Sequence, residues 1–360
     1  MILKLLKKVH FSMLFAMLGL SALGVLFIFS ASFNKAGFFE LKQCVWVAAG
    51  LVVYFMVAAM GYRSFLGMSY LFYAFTLFLL VLVHFFGVTV NGARLWFSLG
   101  PIAIQPSEFV KVATLLAMVN FIGNYQPGMG QARPVWGTVA IAFVPFIMIL
   151  KQPDLGSALI FVPMLFTVLF LWGIRIRYLI MSAVIALASM PIGWNLLKAY
   201  QKKRLLVFWD PSLDPLGAGY TAIQSKIAVG SGGLLGKGFL LGTQTQLNFV
   251  PEHHTDFIFS VIAEEWGFIG SLAVICLYVL LFISLFRICD HTTDPKAKML
   301  VSGIAALIFS QVFINIGMTF GWMPITGLTL PLVSYGGSSF VLICFALALA
   351  LSVHRERSIF

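Results

Sequence analysis

Charge is what this sequence has little of. Only 10% of its 360 residues are Asp, Glu, Lys or Arg, against about 25% in a soluble globular chain. That scarcity excludes an ordinary cytosolic enzyme, and a 61% hydrophobic content excludes a disordered chain. Acids are the scarcer sign, 12 against 23 basic residues. The excess implies no nucleic-acid partner, because basic residues flanking apolar runs anchor helices at anionic leaflets. The four cysteines, Cys44, Cys276, Cys289 and Cys344, contain no Cys-x-x-Cys pair. Neither a disulfide framework nor a zinc site is indicated. Several motifs are also missing. The glycine-rich run 230–238 is not a Walker A loop, since Lys237 precedes Gly238, and Leu235 breaks Gly-x-Gly-x-x-Gly. His253-His254 is not a His-Glu-x-x-His zinc motif. Ser107 and Lys111 are four apart, so Ser-x-x-Lys acylation chemistry is excluded. No internal repeat is evident, which disfavours an inverted-repeat transporter.

Long apolar runs are what the chain has. A span needs about 17–25 mostly apolar residues. Such runs lie at 12–31, 43–60, 67–86, 107–123, 135–150, 155–173, 178–197, 264–286, 299–320 and 337–354. The first follows Lys4, Lys7 and Lys8 as a signal-peptide core would, but no small-residue cleavage site follows, so it reads as a true span. The expected fold is therefore an all-α polytopic membrane protein of about ten transmembrane helices, forming one integral membrane domain over 1–360. Orientation follows from the basic residues. Arg175, Arg177, Arg287, Lys296, Lys298, Arg355 and Arg357 fall on the side of the N-terminal lysines. The short loops opposite hold only Lys35, Lys42, Arg94 and Lys151. Both termini are expected in the cytoplasm, and a large loop at 198–263 between spans 7 and 8 is expected outside.

This orientation gathers the unusual polar text on the outer face. Arg94, in Asn91-Gly92-Ala93-Arg94, suits a phosphate or a lipid headgroup. Glu108 and Lys111 share a helix face in Gln105-Pro106-Ser107-Glu108, where Ser107 is placed to cap. They form either a self-neutralising structural pair or one wall of a wet cavity. Asp154 is either an N-cap or a cavity acid. Glycines at 230–238 permit a sharp turn or close approach to a ligand. Glu252, His253, His254 and Asp256 offer oxygen and nitrogen ligands for a divalent cation. Glu264 and Glu265 read as first-turn acids facing a helix dipole. Ser334-Tyr335-Gly336-Gly337-Ser338 suggests irregular backbone covered by protein or a water-filled cavity.

Taken together, these clusters resemble the SEDS family (shape, elongation, division and sporulation). The shared text is Asn91-Gly92-Ala93-Arg94, Gln105-Pro106-Ser107-Glu108 with Lys111, and Gln152-Pro153-Asp154-Leu155-Gly156. It continues with the 230–238 run, His254-Thr255-Asp256-Phe257-Ile258-Phe259 with Glu264-Glu265, and Leu330-Pro331 before Ser334. Residues 244–249 look more like the RodA elongation branch than the FtsW division branch. The resemblance implies a peptidoglycan glycosyltransferase of the bacterial cytoplasmic membrane, working on its outer face in cell elongation and rod-shape maintenance. It would polymerise lipid II by an inverting, β-1,4-forming displacement that releases undecaprenyl pyrophosphate. Donor and growing acceptor would both be lipid-linked. The family's essential aspartate falls on Asp256 as general base, with Arg94, Lys111, Glu108, Asp154 and Arg204 as substrate-binding residues. Mg²⁺ or Mn²⁺ would assist the leaving group. A class B penicillin-binding protein and other elongation-complex membrane proteins are the implied partners. A lipid carrier also implies a lateral opening below the polar outer loops. The competing readings are a division-branch polymerase, a lipid II flippase and a non-catalytic scaffold.

Overall fold

The computed structural model describes residues 10–33, 37–90, 93–99, 102–126, 132–152, 154–188, 194–195 and 199–357. The described residues begin with α1 (Phe11–Ser32), α2 (Phe39–Met60), the short α3 (Tyr62–Gly67) and α4 (Ser69–Phe86). Strands β1 (Val88–Val90), β2 (Ala93–Leu99) and β3 (Ile102–Ile104) follow. Next come α5 (Pro106–Ile122), α6 (Ala132–Lys151), α7 (Leu155–Leu159), α8 (Phe161–Trp172) and α9 (Ile176–Ala188). The 198–263 region contains α10 (Ala199–Trp209), a 3-10 turn (Pro211–Leu213), α11 (Ala218–Ser231) and α12 (Thr243–Gln246). Three long helices close the chain: α13 (Ile258–Asp290), α14 (Pro295–Phe320) and α15 (Gly337–Arg357).

Among the described residues eight helices are long and apolar enough to span, with α7 and α8 running on as one. Of the other two expected spans, the fourth is α5 at its expected length, and the seventh, 178–197, lies partly outside the described residues. The 17-residue α5 is buried along most of its length, and α9 covers only Ile176–Ala188. Enclosure of α5 depends on small neighbours: a Cβ on Gly303 of α14 would lie 2.3 Å from Leu115. Bare backbone at such points lets membrane helices approach closely.

The bundle has two chemically distinct ends. One gathers both ends of the described chain: the His10 and His354 rings are 5.0 Å apart, and Ser12 Oγ lies 2.9 Å from Ser284 Oγ. Arg63 pairs with Glu356 at 3.2 Å there, and Tyr62 donates to Asp294 at 2.8 Å. The opposite end carries the strands, the 199–257 segment and the 321–336 turn. The strands were not anticipated. Strands β1 and β2 pair antiparallel, and β3 pairs with β2; Asn91-Gly92 lie outside the described residues.

The eighth span departs most from expectation. Its helix starts at Ile258 rather than 264 and breaks at Gly267 (φ 62°, ψ −153°), a conformation open essentially only to glycine. Glu264 and Glu265 therefore lie inside a helix just before a break, not in a first turn. The break frees two carbonyls and two amides, which must be satisfied elsewhere. The glycine-rich run does this. Lys237 N and Gly238 N donate to Glu264 O and Glu265 O at 3.0 Å each, while Phe268 N and Ile269 N donate to Gly233 O and Leu234 O at 2.9 and 3.2 Å. The glycines thus approach a helix backbone rather than a ligand. A Cβ on Gly236, at φ +80°, would lie 2.0 Å from Glu265 O. Gly236→Ala is expected to cost about 2–3 kcal/mol and to lower the melting temperature in detergent. An unchanged melt would show that the splice is not needed.

Candidate active site

The start of α5 builds the first half of the site. Pro106 occupies the first turn, where its missing N–H is harmless. Gln105, not Ser107, stands at the N-cap position. Ser107 Oγ instead donates to Asp154 Oδ2 at 3.3 Å, and Gln105 Nε2 donates to the same oxygen at 3.4 Å. Asp154 caps α7 by accepting from Ser157 N at 2.9 Å. It is thus both a cap and a wall of the cluster. Burial pushes its carboxyl above the usual range; the Ser157 bonds and the Lys111 charge pull it down, and Glu108 pushes it up. One turn along α5, Lys111 Nζ donates to Glu108 Oε1 at 2.7 Å. Lys111 is fully buried, and Glu108 Oε2 is buried with no hydrogen-bond partner among the described residues. An unmatched buried carboxylate oxygen is costly unless water or a ligand reaches it.

The second half is the segment 250–257. Glu252 adopts a positive φ of 50°, and its carbonyl accepts from Thr255 N and Asp256 N at 3.2 and 3.1 Å. The buried His253 places its ring nitrogens 2.6 Å from Val250 O and 2.8 Å from Ala31 O, strapping the segment to the end of α1. Ser334 Oγ donates to Thr255 O at 2.5 Å, and Tyr335 N donates to His254 O at 3.1 Å. Asn315 Nδ2 of α14 donates to Asp256 O at 2.8 Å and to Leu328 O at 2.6 Å. Asn315, the Glu252 carbonyl and the 334–335 turn therefore hold the Asp256 segment, and the half-buried carboxyl takes the Thr255 hydroxyl as hydrogen-bond partner. Burial, then the nearby Glu252 carboxylate, raise that carboxyl to about 7. The Thr255 hydroxyl and the Arg204 charge oppose the rise, and Asp154 adds to it.

These couplings bring five of the six sequence-selected residues together. Asp154 feels Lys111 and Glu108, and Asp256 feels Arg204 and Asp154. Arg94 stands apart. It is exposed on β2, with Nε donating to Thr89 Oγ1 at 3.2 Å. Lys237 is engaged elsewhere, on Glu264 at 2.7 Å. Glu264 also accepts from Thr243 Oγ1, Gln244 N, and both N and Oγ1 of Thr245. It is a structural anchor for 243–245. The imagined Glu252-His253-His254-Asp256 metal set does not assemble: His253 faces carbonyls, and no group of three metal-ligating side chains occurs among the described residues.

Sequence reasoning overlooked Gln311. Its amide is fully buried, with neither atom hydrogen-bonded among the described residues, one turn from Asn315 on the same helix face. A glutamine at membrane depth was the available signal. An apolar groove also opens between helices. That groove, about 500 Å³, is lined by Phe166, Phe170, Ile176, Leu179 and Phe286 with Ser302, in the half of the bundle away from Asp256.

Known proteins share this sequence pattern and fold. Residues 11–359 match the FTSW_RODA_SPOVE family, described as cell cycle protein. The chain is 39% identical to peptidoglycan glycosyltransferase MrdB of Escherichia coli K12, over 97% of this chain and 95% of that one. It is 33% identical to peptidoglycan glycosyltransferase RodA of Treponema pallidum, over 96% and 97%. A solved structure titled as a peptidoglycan synthase complex coordinating polymerization and crosslinking superposes with TM-score 0.84 at 34% identity, covering 97% and 98%. Thermus thermophilus rod shape determining protein RodA superposes at TM-score 0.73 with 31% identity, covering 97% of each chain. A ten-run apolar plan, a buried Glu108–Lys111 pair and an aspartate fixed beside it are thus features of a chain that belongs to the FtsW/RodA/SpoVE family, the SEDS proteins.

Proposed function

We propose that this multi-pass membrane protein is a peptidoglycan glycosyltransferase of the elongation branch, polymerising lipid II with Asp256 as general base. The observation that carries the reading is the Asp256 carboxyl, fixed through its backbone and raised to about 7 by burial and the nearby Glu252, with Arg204 and Asp154 close enough to act on it. A base works best when its pKa lies near the working pH. The acceptor's 4-hydroxyl oxygen attacks the donor's anomeric carbon. Its proton passes to Asp256 as the bond to the diphosphate oxygen breaks on the opposite face. The configuration inverts, and undecaprenyl pyrophosphate leaves as an anion. Lys111, held by Glu108, stabilises that anion in a low-dielectric setting, while Asp154, Ser107 and Gln105 fix the cavity wall. Arg94, on the exposed hairpin, makes an outer contact with substrate rather than a cavity contact. A divalent cation, Mg²⁺ or Mn²⁺, would add charge neutralisation there. Asp154 and Glu108, whose Oε2 has no hydrogen-bond partner among the described residues, would be the acids to hold it, although no group of three metal-ligating side chains occurs there.

The site end faces the extracytoplasmic side in this reading, in keeping with the positive-inside pattern. The likeness to a complex that couples polymerization and crosslinking supports a class B penicillin-binding protein as partner. Kinship with MrdB and RodA favours elongation over division, although FtsW of Coxiella burnetii is also 35% identical. Incubating the purified chain with lipid II, with and without a cognate penicillin-binding protein, tests the reading. Glycan strands on a gel are expected. Their absence even with a verified partner would return weight to transport or scaffolding.

The rate should carry an acid limb. Asp256 accepts a proton only when ionised, and its carboxyl titrates near 7. Polymerisation at saturating substrate is expected to fall about tenfold per unit well below pH 7 and to level off above pH 8. A rate flat from pH 8 to pH 5 would exclude a base with this pKa.

A further inference from the structure

Two cations outside the Glu108–Lys111–Asp154 cluster, the half-buried Arg204 and the exposed Lys226, have no side-chain hydrogen bond or ion pair among the described residues. Arg204 of α10 and Lys226 of α11 line one pocket, together with Val207, Phe208, Met323 and Ile325. Lys203, one residue before Arg204, is by contrast bound to Asp214 at 3.0 Å. Like charges lining one pocket repel each other unless an anion joins them.

The fold makes room for this pair. Lys226 crosses Gly321, where a Cβ would lie 1.9 Å from Lys226 Cε, and Gly321 takes a φ of +73° to end α14. The negative end of that helix accounts for a cation at Lys226, but not for the half-buried Arg204 beside it. The pocket also lies within reach of the chemistry, since the Arg204 charge acts on Asp256. Its enclosed part is small, about 20 Å³, so an anionic group seats at the rim with apolar walls beneath. The planar arginine fork matches phosphate oxygens, and the apolar walls suit the first carbons of a polyprenyl chain.

We propose that Arg204 and Lys226 form a second anion subsite, which takes the diphosphate of one lipid-linked substrate while Lys111 serves the other. The inference rests on the polymerase reading above. Two lipid-linked saccharides bring two diphosphates to one face, and one buried, carboxylate-paired lysine cannot neutralise both.

The test compares Arg204→Gln/Lys226→Gln with Lys203→Gln, which removes a neighbouring charge outside the pocket. With lipid II, KM is expected to rise about tenfold in the double variant, more than kcat falls, and to stay near wild type in Lys203→Gln. An unchanged KM in the double variant overturns the subsite. An equal rise in Lys203→Gln assigns the effect to surface charge and overturns it as well. Calorimetric titration with inorganic pyrophosphate gives a readout independent of turnover. Two binding sites are expected in wild type and one in the double variant, and equal stoichiometry in both overturns the proposal. If wild type makes no polymer, the polymerase reading fails while the titration still reports on the subsite.

Discussion

Asp256→Asn should abolish glycan polymerisation while leaving the protein folded, and it should raise rather than lower its stability at alkaline pH. Asparagine keeps the shape of the side chain and can accept no proton at this position. The loss is expected at about 10²–10⁴-fold, the usual contribution of a positioned base. The stability effect follows from linkage. The folded carboxyl sits near 7, above its ordinary 3.8, so the folded chain binds this proton more tightly than the unfolded chain. Its stabilising effect is complete below pH 4 and is lost as pH rises through 7. At pH 8 the wild type therefore holds a carboxylate where burial and Glu252 disfavour one, and Asn removes that penalty. The variant should melt higher than wild type at pH 8, with the gap closing towards pH 4. A variant that loses activity and also melts lower at pH 8 would point to a collapsed segment rather than a missing base. A variant that polymerises normally would remove Asp256 from the reaction.

Such a trade of stability for reactivity shows why the site was only partly legible in sequence. The apolar runs gave the spans, because hydrocarbon demands length and composition of any crossing helix. Glu108 and Lys111 were legible as a pair because a helix places residues three apart on one face. Asp154 was legible as a cap for a similarly local reason. What could not be read locally is what distant segments do to one another. Nothing around residue 236 says that its backbone replaces helix hydrogen bonds broken at Gly267. His253 looked like a metal ligand because the Ala31 carbonyl facing it lies 222 positions away in sequence. Arg94 and Lys111 both lie in the shared motifs, yet β2 carries one to the surface while α5 buries the other completely. The six-residue error at the start of the eighth span has the same origin. Apolar periodicity registers hydrocarbon, whereas the helix begins earlier, inside the protein, where Glu264 is satisfied by residues 237–245.

Lys111→Met is the second substitution expected to have a large effect, and it separates catalysis from architecture. Lys111 is fully buried and its one protein partner among the described residues is Glu108. Removing the lysine leaves a carboxylate in the bundle with one oxygen already unmatched. Breaking a buried pair from one side typically costs about 3–5 kcal/mol. Lys111→Met should therefore melt well below wild type and make no polymer. Glu108→Gln alone should be milder, because the amide still accepts from Lys111 Nζ. The informative protein is Glu108→Leu/Lys111→Met. Replacing both charges with apolar groups of similar volume is often neutral or stabilising, so its melt should return to near wild type. Its polymerisation should not return, because the cation that neutralises the leaving diphosphate is still missing. Recovery of activity along with stability would make the pair purely structural and would shift the leaving-group role to Arg204. Recovery of neither would mean that Glu108 and Lys111 are coupled to further buried polar groups, of which Asp154 and Gln311 are the ones to test. In that case unfolding free energies around the full two-residue cycle, compared with those for Gln311→Leu, would locate the coupling.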